Sequence, residues 1–123
     1  MAEHNILGKE GEETACETLI KKGYLIRDRN WRYGRNEIDI VAEKDGRIII
    51  VEVKTRTDNV EDISKIITPA KIRHLINAGK AYLKLFGLTQ ELQFDIMILH
   101  GEKNNLSVEH IEDAIMPPMY FYR

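Results

Sequence analysis

The apolar positions of this chain fall into two different periods. From Asn5 to Lys22 they follow helical spacing: at roughly 100° per residue, Gly8, Gly11, Ala15 and Leu19 share one side, while Glu10, Glu13 and Glu17 share the other. Gly23 supplies the stop. Glu12 breaks this pattern, because it lies on the apolar side with the glycines. Gly8 and Gly11 lower helix propensity, which predicts close approach to another element. Strand-like runs follow. Tyr24 to Arg32, Glu37 to Glu43 and Arg47 to Thr55 read as three successive strands, and Asp45-Gly46 marks a hairpin between the last two. The β-branched run IIIVEV predicts a third strand covered on both faces. Thr68 is a plausible N-cap and Pro69 a good first residue for a second helix running to Phe86, with Gly87 as its stop. Ile72, Leu75, Ile76, Gly79, Tyr82, Leu83 and Phe86 form its apolar stripe. Leu92 to His100 reads as a central fourth strand with Asp95 as its lone charge, and Leu106 to His110 as an edge strand. Residues 56–67 read as a polar loop, and the aromatic tail PPMYFYR is expected to pack on the domain.

The strand period decides where the charges gather. Side chains alternate between the faces of a strand, so Glu37 and Asp39 are expected on one face, opposite Ile38 and Ile40. Glu52 and Lys54 likewise share a face, opposite Val51 and Val53. Pairing the second and third strands then gathers three carboxylates and an ammonium on a small patch. In an apolar setting such a patch is unfavourable unless a cation or a substrate completes it.

Length and composition narrow the class. At 123 residues, with 43% hydrophobic and 31% charged residues, the chain is expected to be one globular domain with one core, spanning residues 1–123. No apolar run approaches the roughly 20 residues of a membrane span. The acidic start lacks the pattern of a signal peptide, and the lone Cys16 excludes an internal disulfide framework. A cytoplasmic protein with no membrane partner is expected. The net charge of -2 hides a segregated pattern: residues 21–36 carry six bases and one acid, and residues 64–86 five bases and no acid. These two basic blocks flank the acidic patch in sequence, which reads either as solvated, internally paired faces or as the footprint of a nucleic-acid partner. Within the first, Arg27, Arg29 and Arg32 interleave with Tyr24 and Trp31, and Arg35 follows in the turn. This reads as a phosphate-facing edge, with Trp31 itself a half-exposed core residue. Arg56, at the start of the polar loop, and Lys71 and His74, on the flank of the second helix, are further candidates for reaching a phosphate.

The patch suits a hard divalent cation. Mg²⁺ takes oxygen ligands, often one or two carboxylates completed by waters and phosphate oxygens. Asp39 and Glu52 can supply the carboxylates, and the backbone carbonyl of Val53 a further oxygen. Lys54 is placed to offset the carboxylates and stabilise charge in a phosphoryl transition state. Glu12 and Glu37 are available to complete the surroundings. Other catalytic signatures are missing: there is no Gly-rich phosphate loop, no paired-Cys zinc spacing and no HExxH, and the four histidines are scattered.

These residues carry a resemblance. A helix glutamate, then Asp39 followed after twelve residues by Glu52-Val53-Lys54, resembles the PD-(D/E)xK nuclease superfamily. The stretches GKEGEETA (8–15), NEIDIVA (36–42), VEVKTR (51–56) and FDI (94–96) are similar to the YraN family of small bacterial predicted endonucleases, relatives of Holliday-junction resolvases. Ile38 stands where the superfamily has a proline. The resemblance implies a restriction-endonuclease-like α/β core of helix, three antiparallel strands, helix and strand, with a mixed sheet flanked by helices. It implies Glu12, Asp39, Glu52 and Lys54 as the active-site set, with Glu37 auxiliary, and Mg²⁺ or Mn²⁺ as cofactor. It further implies hydrolysis of DNA, structured or branched DNA by analogy with resolvases, and a possible homodimer. The alternative is a non-catalytic nucleic-acid-binding module of the same fold acting in DNA repair or uptake.

Overall fold

A computed structural model describes residues 2–56, 67–102 and 104–115, with side chains from residue 8 onward. The elements are α1 (Ala2–Lys21), β1 (Leu25–Tyr33), β2 (Asn36–Lys44), β3 (Arg47–Arg56), α2 (Pro69–Leu85), β4 (Glu91–Glu102) and β5 (Asn105–Ile111). They build a mixed α/β fold: a five-stranded sheet in the order β1-β2-β3-β4-β5 with a helix on each face. β1, β2 and β3 form the expected antiparallel meander, and α2 crosses over to bring β4 parallel to β3. β5 pairs antiparallel at the far edge. This is the restriction-endonuclease-like core that the sequence predicts. The polar loop and the aromatic tail of the sequence reading lie largely outside the described residues.

Two cores sandwich the sheet. Under α1, Ala15, Cys16 and Leu19 pack on Ile40, Ala42, Ile49, Val51, Met97 and Leu99. Under α2, Leu75, Ile76, Ala78 and Tyr82 pack on Ile38, Val41, Ile48, Ile50 and Phe94. Thus β3 is covered on both faces, as its β-branched run requires. α2 starts as expected, with the Thr68 hydroxyl accepting from the Lys71 amide at 3.2 Å. Its end departs from the expectation. Phe86 is the C-cap rather than a buried stripe residue, and it is half exposed.

Of the two α1 glycines, Gly11 is the one that makes a close approach. A Cβ there would collide with the Thr55 hydroxyl, whereas one at Gly8 would meet nothing. Gly11 therefore brings α1 against the end of β3, directly beside Glu12. At the β2–β3 turn both Asp45 and Gly46 have positive φ, 53° and 77°, the geometry of a two-residue hairpin.

Candidate active site

The site sits where the β2–β3 ladder ends. Regular pairing stops at Ile40↔Val51. Ile40 packs in the core under α1 but Ile38 in the core under α2. The strict alternation expected for Glu37 to Ile40 therefore fails between these two residues. The local cause is visible in the bonding: the Val53 amide donates to Asp39 Oδ2 at 2.8 Å. A side chain thus takes a donor that the regular ladder would give to a backbone carbonyl, and β2 departs from β3 with Asp39 at the break.

Glu52 lies one strand over, 2% exposed in the middle of the sheet. Its Oε2 is 3.2 Å from Lys71 Nζ and 3.6 Å from Lys54 Nζ. Lys54 comes from the same strand two residues on, and Lys71 from the first turn of α2, which the Thr68 cap fixes in place. Glu52 Oε1 is buried with no hydrogen-bond partner. A buried carboxylate oxygen is rarely left so, because its desolvation is offset only by a donor or a cation.

Burial, and then the nearby Glu52 charge, push the Asp39 pKa up from 3.8 to about 7, against the opposing pull of the Val53 amide and Lys71. Glu12 also pushes it up, so the helix glutamate stands within electrostatic reach of Asp39. The sign of the linked stability follows. Folding favours the protonated acid, so Asp39 costs nothing below its unfolded value of 3.8, and its full penalty is present above about 7. Asp39→Asn, which keeps an oxygen for the Val53 amide, is expected to stabilise the metal-free protein by roughly 2–4 kcal/mol at pH 8 and by little at pH 4. Urea unfolding in EDTA at the two pH values measures this; equal effects at both would contradict the assigned environment.

The structure brings together Asp39, Glu52, Lys54 and Lys71, with Glu12 in electrostatic reach of Asp39 but not part of the cluster. The other expected residues are spread around them. Glu37 turns to Arg32 Nε at 3.3 Å across the β1–β2 pair. Arg27 is tied to the Tyr82 hydroxyl and to Glu43, both at 3.1 Å, and acts as a buttress of the sheet edge. Arg29 pairs with Glu13 at 3.3 Å. Arg35 is exposed in the β1–β2 turn, His74 is exposed on α2, and Arg56 ends β3. The sequence reading places Lys71 at a phosphate and misses its contact with Glu52. The helical period locates Lys71 on a flank but cannot say that the N-terminus of α2 meets the middle of β3.

Two carboxylates define the site, not three or more. Among the described residues no group of three or more His, Cys, Asp and Glu side chains is close enough to hold a metal. That number fits Mg²⁺, which commonly takes one or two carboxylates and fills the rest of its octahedron with waters and substrate oxygens. The unpartnered Glu52 Oε1 is the acceptor such an ion would meet. A cleft of about 260 Å³ around Tyr24, Lys44 and Arg47 lies elsewhere, by the β2–β3 hairpin turn.

Fold and site together define a small mixed α/β protein with a buried glutamate, Glu52, and a half-buried Asp39 and two half-buried lysines around it at the break of its central hairpin. Residues 11–99 match the family model described as uncharacterised protein family UPF0102, and the chain belongs to that family. It is 47% identical over 121 residues to a UPF0102 protein of Bacteroides fragilis, covering 98% of this chain and 100% of that one. A UPF0102 protein of Phocaeicola vulgatus is 49% identical over 124 residues, with the same coverage. Among solved structures the chain is similar to SfsA of Pyrococcus furiosus in complex with Ca²⁺, at 15% identity and a TM-score of 0.36, covering 89% of this chain and 63% of that one. A likeness of that size carries no argument. No helix among the described residues is long and apolar enough to cross a membrane.

Proposed function

We propose that this chain is a divalent-metal-dependent nuclease of the PD-(D/E)xK type that hydrolyses phosphodiester bonds in DNA, in keeping with its resemblance to the YraN endonucleases. The observation that carries this reading is the unpartnered Glu52 Oε1, buried near Asp39 on a carboxylate whose other oxygen, Oε2, faces two ammonium groups. A purely structural carboxylate in the centre of a sheet would have both oxygens satisfied.

Asp39, Glu52 and the Val53 carbonyl would hold Mg²⁺ or Mn²⁺. When bound, the ion supplies Lewis-acid charge and a water of lowered pKa. The residues of the chain do the remaining work. Asp39 is fixed by the Val53 amide, so its orientation is set before substrate arrives. Lys54 is one-third exposed, which lets its ammonium reach from Glu52 to a phosphate oxygen and stabilise the negative charge that develops as water adds to phosphorus and the ester bond breaks. Lys71, equally exposed, offers a second cation to the same phosphate. Glu12 adds a carboxylate on the Asp39 side.

The test is cleavage of a panel of linear, flapped and four-way DNA by the purified chain with Mg²⁺ or Mn²⁺. Cutting that needs the metal and disappears in EDTA is the expected result. Binding without cutting across the whole panel would overturn the enzyme reading in favour of a nucleic-acid-binding module.

A further inference from the structure

One edge of the sheet carries rings that the carboxylate site does not use. Tyr82 is wholly buried, and its hydroxyl donates to Asp28 at 2.5 Å while accepting from Arg27. Trp31 stands edge-on to it, with centroids 5.1 Å apart and planes at 82°. Tyr33, two residues along β1, lies parallel to Trp31 within 4°, with centroids 6.2 Å apart. Phe86 closes the group at 4.4 Å from Tyr82. Tyr33 and Phe86 are each 48% exposed, and the neighbouring Leu85 is also exposed. Of the five large hydrophobic residues exposed among the described residues, three are thus gathered here.

We infer that Trp31, Tyr33 and Phe86 form a stacking platform for unpaired bases of the DNA strand held at the carboxylate site; this rests on the nuclease reading for the identity of the partner. Three features select that occupant. First, position: β1 pairs Trp31 with Ile38, next to Asp39, and the rings lie on the α2 face, where Glu52 meets Lys71. β1 and β3 are two strand spacings apart, roughly 10 Å, and Phe86 caps the end of α2 away from Lys71, roughly 22 Å along the helix, so the platform meets bases a few nucleotides from the scissile phosphate. Second, charge: Arg35 is exposed in the turn that follows Tyr33, and Arg32, between Trp31 and Tyr33 on the strand, projects from the other face of the same edge, where its pair with Glu37 is solvated and weak enough to release its cation to a phosphate. Third, rigidity: the platform is locked from below by Tyr82, so little side-chain freedom is lost when a base stacks. Rings plus backbone-facing cations are the means by which single strands are bound without reading sequence.

Trp31 is the single tryptophan of the chain, so its emission reports occupancy directly. The experiment titrates the full chain in EDTA with oligothymidylate and with a blunt duplex of equal length. Saturable quenching by the single strand, with little by the duplex, is expected. Tyr33→Ala is expected to weaken single-strand binding about tenfold, Phe86→Ala to act in the same direction, and Tyr33→Phe to retain binding. Both truncations are at exposed positions, and far-ultraviolet circular dichroism verifies folding. Equal quenching by duplex, or unchanged affinity in Tyr33→Ala, overturns the platform. An emission shift that follows protein concentration instead of oligonucleotide also overturns it, in favour of a second copy on this edge. Quenching in EDTA, with no cleavage of the DNA panel in Mg²⁺ or Mn²⁺, would leave the platform standing while the nuclease reading fell; cleavage of that panel with no quenching in EDTA would do the reverse.

Discussion

Glu52→Gln is expected to lower metal-dependent DNA cleavage by about 10²–10³-fold or more while leaving DNA binding in EDTA within a few-fold of the wild type. The substitution preserves shape and removes one charge. The lost charge is the one that faces Lys54 at 3.6 Å and Lys71 at 3.2 Å, and it includes the buried oxygen that has no partner. Without it the site keeps Asp39 alone as a carboxylate in the sheet, and Mn²⁺ affinity, read by calorimetry, should fall with the activity. DNA affinity has no reason to fall, because the two ammonium groups are then freed toward phosphate. This split between cleavage and binding separates a chemical role for Glu52 from a structural one. If Glu52→Gln cuts within threefold of the wild type, the assignment of the carboxylates is wrong. If binding and thermal stability collapse together with cleavage, Glu52 is a core residue whose two lysines are its counterions.

Much of this site is legible in the sequence, for identifiable reasons. Period-two patterning and the Asp45-Gly46 turn place Glu52 and Lys54 on one face of a strand covered on both sides, and that follows from local geometry alone. Glu12 stands out because it falls on the apolar side of its helix, where it is half-buried, and Gly11 because it lowers helix propensity, which traces to the approach of α1 to Thr55. What the pattern cannot give is the behaviour of β2 at Asp39. Alternation assumes an unbroken ladder, and the Val53 amide interrupts it by bonding a side chain. The contact between Lys71 and Glu52 is likewise beyond sequence reasoning, because it depends on how a crossover helix docks. The same holds for Phe86: the helical stripe assigns it to the core, but the helix ends one residue earlier and the ring turns outward.

The residue whose isolation in the sequence proves most informative for stability is Asp95, the lone charge in LQFDIMILH. A single carboxylate in an apolar strand demands partners, yet nothing in the spacing says which. The structure supplies four: Gln93 Nε2 and the Asp113 amide donate to Oδ1 at 2.9 and 3.0 Å, the Tyr24 hydroxyl donates to Oδ2 at 3.2 Å, and His110 Nε2 lies 2.8 Å from Oδ2. Lys22 Nζ lies 2.7 Å from His110 Nδ1. An ammonium only donates, so Nδ1 accepts and Nε2 carries the proton that bonds Asp95. Burial pushes the Asp95 pKa up, but the hydrogen bonds from His110, Gln93 and the Asp113 amide outweigh it and hold the group below 3.8. At 1% exposure Asp95 therefore ties the end of α1, β5 and the turn after it to β4. Asp95→Ala strands all of these donors in a buried site and is expected to cost roughly 3–5 kcal/mol at pH 7; Asp95→Asn, which keeps one acceptor oxygen, should cost less. Because the folded pKa is depressed, the wild-type advantage is fully present above the unfolded value of 3.8 and is lost as the pH falls through the folded one. Urea unfolding of wild type and variant at pH 7 and near pH 2 reads both effects, and a difference under about 1 kcal/mol at pH 7 would refute the clamp. The consequence reaches the proposed active site, because Val51 pairs with Asp95 and Glu52 with Ile96. Loosening β4 at this point loosens the strand against which Glu52 is registered, so Asp95→Ala should also lower cleavage at temperatures where the fold still holds.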